Sequence, residues 1–393
     1  MKPTSNAQAG SAMTQARDKN SRNDRRGSGL LAAALVLPLA HVATIAHAES
    51  APDKGLISLK VLDYQDSQPG EDRVKVQASA LKIVAPLSDE WAVGATYVTD
   101  SISGASPAFH SYALSKLRDF RRAFDADVTR YFPHSSVTLG ASVSSESDYI
   151  SRGLSLQGSQ FSEDKNTTWT AGIGFANDTV SASTGAVKGE NKQVVDALLS
   201  LTQVLTANDI LQLNAGLSHG HGYLSDPYKA FDKRPKDRDS YTLMARWNHH
   251  FDATGGSARL SYRYFGDSWK IKAHTLNAEY TQPFGQGWSV TPIVRLYTQS
   301  AAEFYVAADP SIYPFAPNLP ENALNYSEDQ RISAYGARTI GVKVAKQINE
   351  DWQMDIKFEQ YDQRSSWRLF GSGSTGLLPF SAKTVQLGLS RQF

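Results

Sequence analysis

The feature that most constrains this chain is a period-two alternation of apolar and polar residues, recurring from Leu56 to Phe393. Trp91, Val93, Ala95 and Tyr97 share one parity, with Gly94 and Thr96 on the other. Val137, Leu139, Ala141 and Val143 alternate with Thr138, Gly140, Ser142 and Ser144. The pattern returns at 169–175, 211–217, 260–264, 352–358 and 385–389. Successive side chains of a strand point to opposite faces, so this alternation specifies strands with one apolar face. No stretch of the same region carries a long helical period.

A two-sheet sandwich also alternates, and three further features separate it from a membrane barrel. The polar parity is rich in Gly, Ser and Thr mixed with charges, as a wet lumen requires. Connections come in two kinds. Short ones fall at 86–90, 133–135, 163–166, 207–209, 252–256, 285–287 and 349–351, and long ones at 101–117, 181–191, 223–236, 301–328 and 371–379. Short turns at one end and long loops at the other are the layout of an outer-membrane barrel. Aromatics crowd the short turns: Trp91, Trp169, Trp288 and Trp352 open strands there, and Phe132, Phe251 and Phe284 close them. Amphipathic rings favour that position at a membrane–water boundary. The terminal Val385, Leu387, Leu389 and Phe393 share a parity that resembles the strand signal read by the barrel insertion machinery, from which Arg391 departs.

These features predict an all-β, antiparallel, up-and-down transmembrane barrel of about sixteen strands, with fourteen or eighteen also compatible. Expected segments run from Leu56–Tyr64, Arg73–Ala85, Trp91–Thr99, Arg118–Phe132 and Ser136–Ile150 through Arg152–Ser162 and Lys192–Thr206 to Phe380–Phe393. Parity breaks near Leu81, Asn277 and Gly336 are expected to be β-bulges.

Ahead of this region, Arg22, Arg25 and Arg26 precede an apolar run, Leu30–Ala40, and then Ala46-His47-Ala48. That is the order of a secretory signal, so residues 1–48 are read as a cleaved leader and 49–393 as one barrel domain in the outer membrane. Translation from Met13 would shorten the leader. Eleven apolar residues are too few to span a bilayer comfortably. Removing 1–48 leaves 34 basic against 37 acidic side chains. This near-neutral balance lacks the electrostatic footprint of a nucleic-acid binder. A chain with no cysteine excludes disulfides, thiolate metal sites and a thiol nucleophile. A mean hydropathy of −0.38 excludes a bundle of transmembrane helices.

On the expected parity, Asp127, Arg246, Arg259, Arg263, Arg295, Lys343, Asp355, Lys357 and Glu359 point into the lumen. Charges of both signs there suit passage of small polar solutes or ions, the bland alternative being that they pair and fill the barrel. Two segments could bind a cation or ligand. Asp63, Asp66, Glu71 and Asp72 surround a Pro-Gly turn, and such carboxylates could ligate Ca²⁺, although the spacing matches no established calcium loop. His219 and His221, at i and i+2, share a strand face. Ser225 and Asp226 follow, so a lipase-like surface hydrolase is the competing function class, and a plugged structural or adhesion scaffold is the third. The phosphate-loop, dinucleotide and HExxH patterns do not occur, so no resident cofactor is expected beyond the Ca²⁺ option. The expected surroundings are outer-membrane lipid, lipopolysaccharide and the insertion machinery. The oligomeric state is not encoded in any of these patterns.

The strings Leu62-Asp-Tyr-Gln-Asp-Ser-Gln-Pro-Gly-Glu-Asp-Arg73, Thr99-Asp-Ser-Ile-Ser-Gly-Ala-Ser-Pro107, Tyr223-Leu-Ser-Asp-Pro-Tyr-Lys229, Arg246-Trp-Asn-His-His-Phe251 and Gly371-Ser-Gly-Ser resemble the bacterial DUF3570 family. The resemblance extends over essentially the whole mature chain. It implies an outer-membrane setting and carries over no catalytic assignment.

Overall fold

The computed structural model describes residues 50–107, 114–182, 185–229, 231–307 and 321–393. The leader expected at 1–48 lies outside them. The chain order is β1 (Leu56–Gln68), β2 (Glu71–Ser88), β3 (Trp91–Pro107), β4 (Leu114–Phe132), β5 (Ser135–Ser145), β6 (Tyr149–Phe161), β7 (Thr167–Val180), β8 (Glu190–Val204) and β9 (Asp209–Gly222). There follow β10 (Asp232–Lys233), β11 (Asp237–Phe251), β12 (Gly256–Asp267), β13 (Lys272–Pro283), β14 (Trp288–Gln299), β15 (Tyr326–Ser327), β16 (Tyr335–Gln347), β17 (Trp352–Arg364) and β18 (Phe380–Gln392). Sixteen of these close into one antiparallel barrel, while β10 and β15 pair with each other outside it. Closure joins β1 to β18 from Leu56↔Gln392 to Ser67↔Ser381. Gly55 and Phe393 complete the seam with reciprocal backbone bonds of 2.8 and 3.0 Å.

The outward face is apolar and exposed. Leu139, Leu154, Ile173, Leu217, Leu243, Ile340 and Leu387 are each more than half exposed and lie on the parity that faces away from the axis. A closed ladder leaves no unpaired strand edge, the condition for placing backbone in hydrocarbon. The aromatics by the short turns carry basic partners. Arg130 stacks over Trp91 and Phe132, and Lys346 over Trp288. Arg391, which departs from the usual terminal pattern, lies over Trp352, its partner in the β17–β18 register. The ring explains why a cation is tolerated there.

Two expectations are corrected. The connection expected at 101–117 is mostly hairpin: β3 and β4 continue paired to Pro107↔Leu114. Its small polar residues conceal strands that extend beyond the apolar band. The parity breaks near Leu81, Asn277 and Gly336 are not bulges, because the registers run through them unshifted. The register shifts instead at Gln65/Ser67 and at Pro86/Ser88. What changes at Leu81 is the apolar face. Val74, Val76, Ala78 and Ala80 are buried on the inner parity, whereas Leu81 and Ile83 are exposed on the outer one. Tyr335 and Ala337 against Ile340 and Val342 repeat this in β16. Near the long loops the hydrophobic side of this part of the wall is the inside, where Val74, Val76, Ala78 and Ala80 pack on Leu62, Tyr64 and Val98. Lower down it is the outside, as lipid requires.

Candidate functional site: the charged lumen and its mouth

Because β-strand parity is strict, the inner residues of neighbouring strands form a wall whose charges can be read by height. All nine charges singled out in the sequence lie on the inner parity, from Asp127 in β4 to Glu359 in β17. The closed order adds Lys60, Lys82, Asp125, Asp196 and Glu279, which the alternation alone did not single out. Each of these fourteen residues sits three to eight positions from the short-turn end of its strand, so they form one belt.

The belt is polarised. The arc from β11 through β18 and β1 to β2 carries eight bases (Arg246, Arg259, Arg263, Arg295, Lys343, Lys357, Lys60 and Lys82) and three acids (Glu279, Asp355 and Glu359). The facing arc, β4 to β8, carries Asp125, Asp127 and Asp196 in the belt, and no base among the described residues. Some charges within the basic arc pair, Arg259 with Glu279 at 3.4 Å and Lys357 with Glu359 at 2.8 Å. Arg263, Arg295, Asp125, Asp127 and Asp196 remain exposed on the inner wall. Glycine makes room for one of them: a Cβ on Gly94 would collide with Asp127 Oδ1, so the carboxylate lies across the glycine.

Above the belt, the described parts of two long loops fold into the mouth. The 223–236 and 300–334 connections join through the β10–β15 pair, Asp232↔Ser327 and Lys233↔Tyr326. They enclose a small apolar core of Trp269, Ile271, Ala302, Phe304 and Ile332, packed on Phe265 of the inner wall. The Gln299 side chain, also on that wall, donates to the carbonyls of Arg331 and Ser333 at 3.0 and 2.6 Å. Beside this core lies a buried ionic network. Arg234 bonds Asp232 at 2.7 Å and Asp329 at 2.6 Å, with both carboxylates wholly buried. Arg331 bonds Asp226 at 2.6 Å and also Asp329. Burial opposes ionisation of Asp329, yet Arg331, Lys229 and Arg234 hold it well below the usual carboxylate range. Glu328 has both oxygens buried without a hydrogen-bond partner. Burial pushes it up to about 8 over the pull of Lys229, helped by Asp232, Asp329 and Asp226. Phe304 and Tyr305 of the long loop belong to this assembly.

The two segments expected to bind a cation or ligand lie outside both the belt and the mouth network. Strands β1 and β2 continue to a two-residue Pro69-Gly70 turn with Gly70 at φ +87°. Asp63 faces outward and pairs with Lys75 at 3.2 Å. Asp66 sits buried in the bulge, accepting from the Val74 amide at 3.0 Å, with Arg73 4.0 Å away. Asp72 is exposed and Glu71 pairs with Gln68 across the turn. The alternation that makes the hairpin thus puts Asp63 and Asp66 on opposite faces. His219 and His221 do share the outer face, but each meets its own carboxylate on β11, Asp239 at 2.7 Å and Asp237 at 2.6 Å. Ser225 Oγ accepts from the Arg234 amide at 2.9 Å, a turn contact.

A closed sixteen-stranded barrel with an apolar exterior, a polar charged interior and loops folded into one end defines an outer-membrane β-barrel protein. Within that class the chain belongs to DUF3570, a family described as protein of unknown function, which it matches over residues 28–116 and 109–384. No curated protein matches it. Among solved structures, a bacterial polysaccharide outer membrane secretin is similar at 8% identity and a TM-score of 0.51, with 86% of this chain and 98% of that one covered. OccK1 of Pseudomonas aeruginosa is similar at 10% identity and a TM-score of 0.44, covering 86% and 98%. CdiB from Acinetobacter baumannii is similar at 9% identity and 0.47, covering 86% of this chain, which spans only 60% of CdiB. At these identities the likeness is one of fold.

Proposed function

We propose that this protein is a passive outer-membrane channel for small polar or charged solutes. The carrying observation is the polarised belt: an arc of eight bases and three acids faces an arc of three acids across the lumen, setting up a transverse field. A barrel interior held together by its own charges would interleave the signs. The excess of bases on one arc and the exposed acids on the other orient dipolar or charged solutes as they pass. In this reading residues 1–48 direct export and are removed. The short turns face the periplasm and the long loops the exterior. The surroundings are lipid and lipopolysaccharide, reached through the barrel insertion machinery.

Detergent-refolded protein in planar bilayers tests the reading. Discrete conductance steps are expected, with a reversal potential on the anion side in a salt gradient, because the belt carries eight bases and six acids. A membrane that stays sealed at every voltage would refute it. The buried network of Arg234, Asp329 and Arg331 favours one second reading, a plugged scaffold. Deleting Ala307–Asn322 separates the two. A loop that narrows a pore raises conductance when removed, whereas a scaffold stays silent.

A further inference from the structure

The turn between β5 and β6 holds a cluster that neither the belt nor the mouth network uses. Asp119 near the top of β4, with Glu146 and Asp148 of the turn, present carboxylate oxygens within 4.8 Å of one another. Carboxylates often gather without a ligand, so the cluster alone means little. The second observation is that each of the three carboxylates keeps one buried oxygen without a partner. Asp119 Oδ2, Glu146 Oε2 and Asp148 Oδ1 are each sealed from solvent and each lacks a hydrogen-bond partner. Asp148 is only 6% exposed. Leaving one such oxygen unsatisfied costs on the order of 1–3 kcal/mol, and more when charged. Three such carboxylates gathered in one cluster are not stable as bare anions.

The remaining bonds leave those oxygens free. Asp119 Oδ1 takes the Ser147 hydroxyl at 3.0 Å and the Phe120 amide at 2.8 Å. Asp148 Oδ2 takes the Tyr228 hydroxyl. Arg121, a nearby base, is committed to Asp100 at 2.7 Å. Burial pushes Glu146 up to about 8, with Asp119 adding to the rise and Arg121 opposing it. That is the response of a carboxylate short of a counter-charge.

The structure assigns to Asp119, Glu146 and Asp148 a divalent-cation site, and the donor set selects Ca²⁺. All the donors are hard oxygens. Ca²⁺ accepts irregular carboxylate cages, while Mg²⁺ demands near-octahedral geometry and gives up its waters reluctantly. The site has a structural consequence. Tyr228 belongs to the 223–236 loop, which folds over the mouth, so its bond to Asp148 ties that loop to the β5–β6 turn. Filling the site fixes Asp148 and, through it, the loop. This is not the acidic hairpin of Asp63–Asp72, whose carboxylates point to opposite faces, and it holds whether or not the barrel conducts.

The test is calorimetric titration of calcium chloride into the full chain refolded without lipopolysaccharide, which itself binds calcium. One site is expected. Glu146→Gln and Asp148→Asn should each weaken binding by about tenfold or more, in line with the loss of a ligand. Both should keep heat-modifiable gel mobility, which reports an intact barrel. Magnesium chloride should give less than about a tenth of the calcium affinity. No calcium heat from the folded wild type would overturn the assignment. Undiminished binding in the double variant, loss of binding on Asp66→Asn alone, or equal magnesium affinity would do so as well.

Discussion

Asp329→Asn tests whether the buried ionic network is what keeps the loops in the mouth. Asp329 is wholly buried and receives both Arg234 and Arg331. Neutralising it leaves two guanidiniums short of charge in a dry site. Breaking a buried pair costs about 3–5 kcal/mol. Here Arg234 keeps Asp232 and Arg331 keeps Asp226, so the lower end, about 3 kcal/mol, is the appropriate figure. At about 1.4 kcal/mol per decade, the undocked loop population should rise about a hundredfold. The barrel ladders involve none of these side chains, so the barrel should stay closed and its gel mobility heat-modifiable. Lys229, Lys233, Lys236 and Arg331 supply trypsin sites in the two loops. Where opening and closing are fast, the nicking rate follows the open population. Nicking about a hundredfold faster is therefore expected, with larger conductance steps. A nicking rate within about threefold of wild type would show that the apolar core around Trp269 holds the loops, and that the ionic network is incidental.

Glu328 makes the same docking pH-sensitive. Its carboxyl binds a proton more tightly docked, at about 8, than its ordinary value of 4.5, so docking weakens as pH rises between those values. Trypsin nicking should increase from about pH 5 to about pH 8, and Glu328→Gln should flatten that slope; a parallel slope in the variant would acquit Glu328. Arg263→Glu with Arg295→Glu places acids at two exposed positions of the basic arc and should move the reversal potential toward cations, with no shift telling against the belt as the selective element. Leu154→Arg puts a charge on the outer face of β6 and should cost about 2–4 kcal/mol of barrel stability near the midplane. Ser155→Arg, one residue on and facing the lumen, should be tolerated, and equal urea midpoints for the two variants would mean that the assignment of faces is wrong.

Much is legible in the sequence because a strand's period is local. Val137 to Val143 announces its face without reference to any partner, and Pro133, Asp252 and Gly285 announce their turns. Sixteen strands, the two kinds of connection and the inner parity of Arg246 or Lys357 follow from such signals. The expected strand Ser136–Ile150 runs past the real β5–β6 turn by a few residues and so hides Glu146 and Asp148 inside it. The unbroken polar run Ser144-Ser145-Glu146-Ser147-Asp148 is the turn signal that marks the true boundary.

What requires the tertiary structure is whatever depends on distant strands meeting. The nine charges read from sequence look mixed in sign, and only the closed order shows that every base of the belt lies on the arc from β11 to β2 while β4–β8 contribute acids alone. The parity switch at Leu81 is visible in one dimension, but one dimension does not distinguish it from a bulge. It records that Val74, Val76, Ala78 and Ala80 pack on the inside of the wall against Leu62, Tyr64 and Val98 of the neighbouring strands. Asp226 and Arg331, and Tyr228 and Asp148, meet across 105 and 80 residues. Alternation is written into consecutive side chains by backbone geometry. Which loop fills the mouth, and which carboxylates share a site, is set by closure, because only closure brings residues so far apart in the chain within bonding distance.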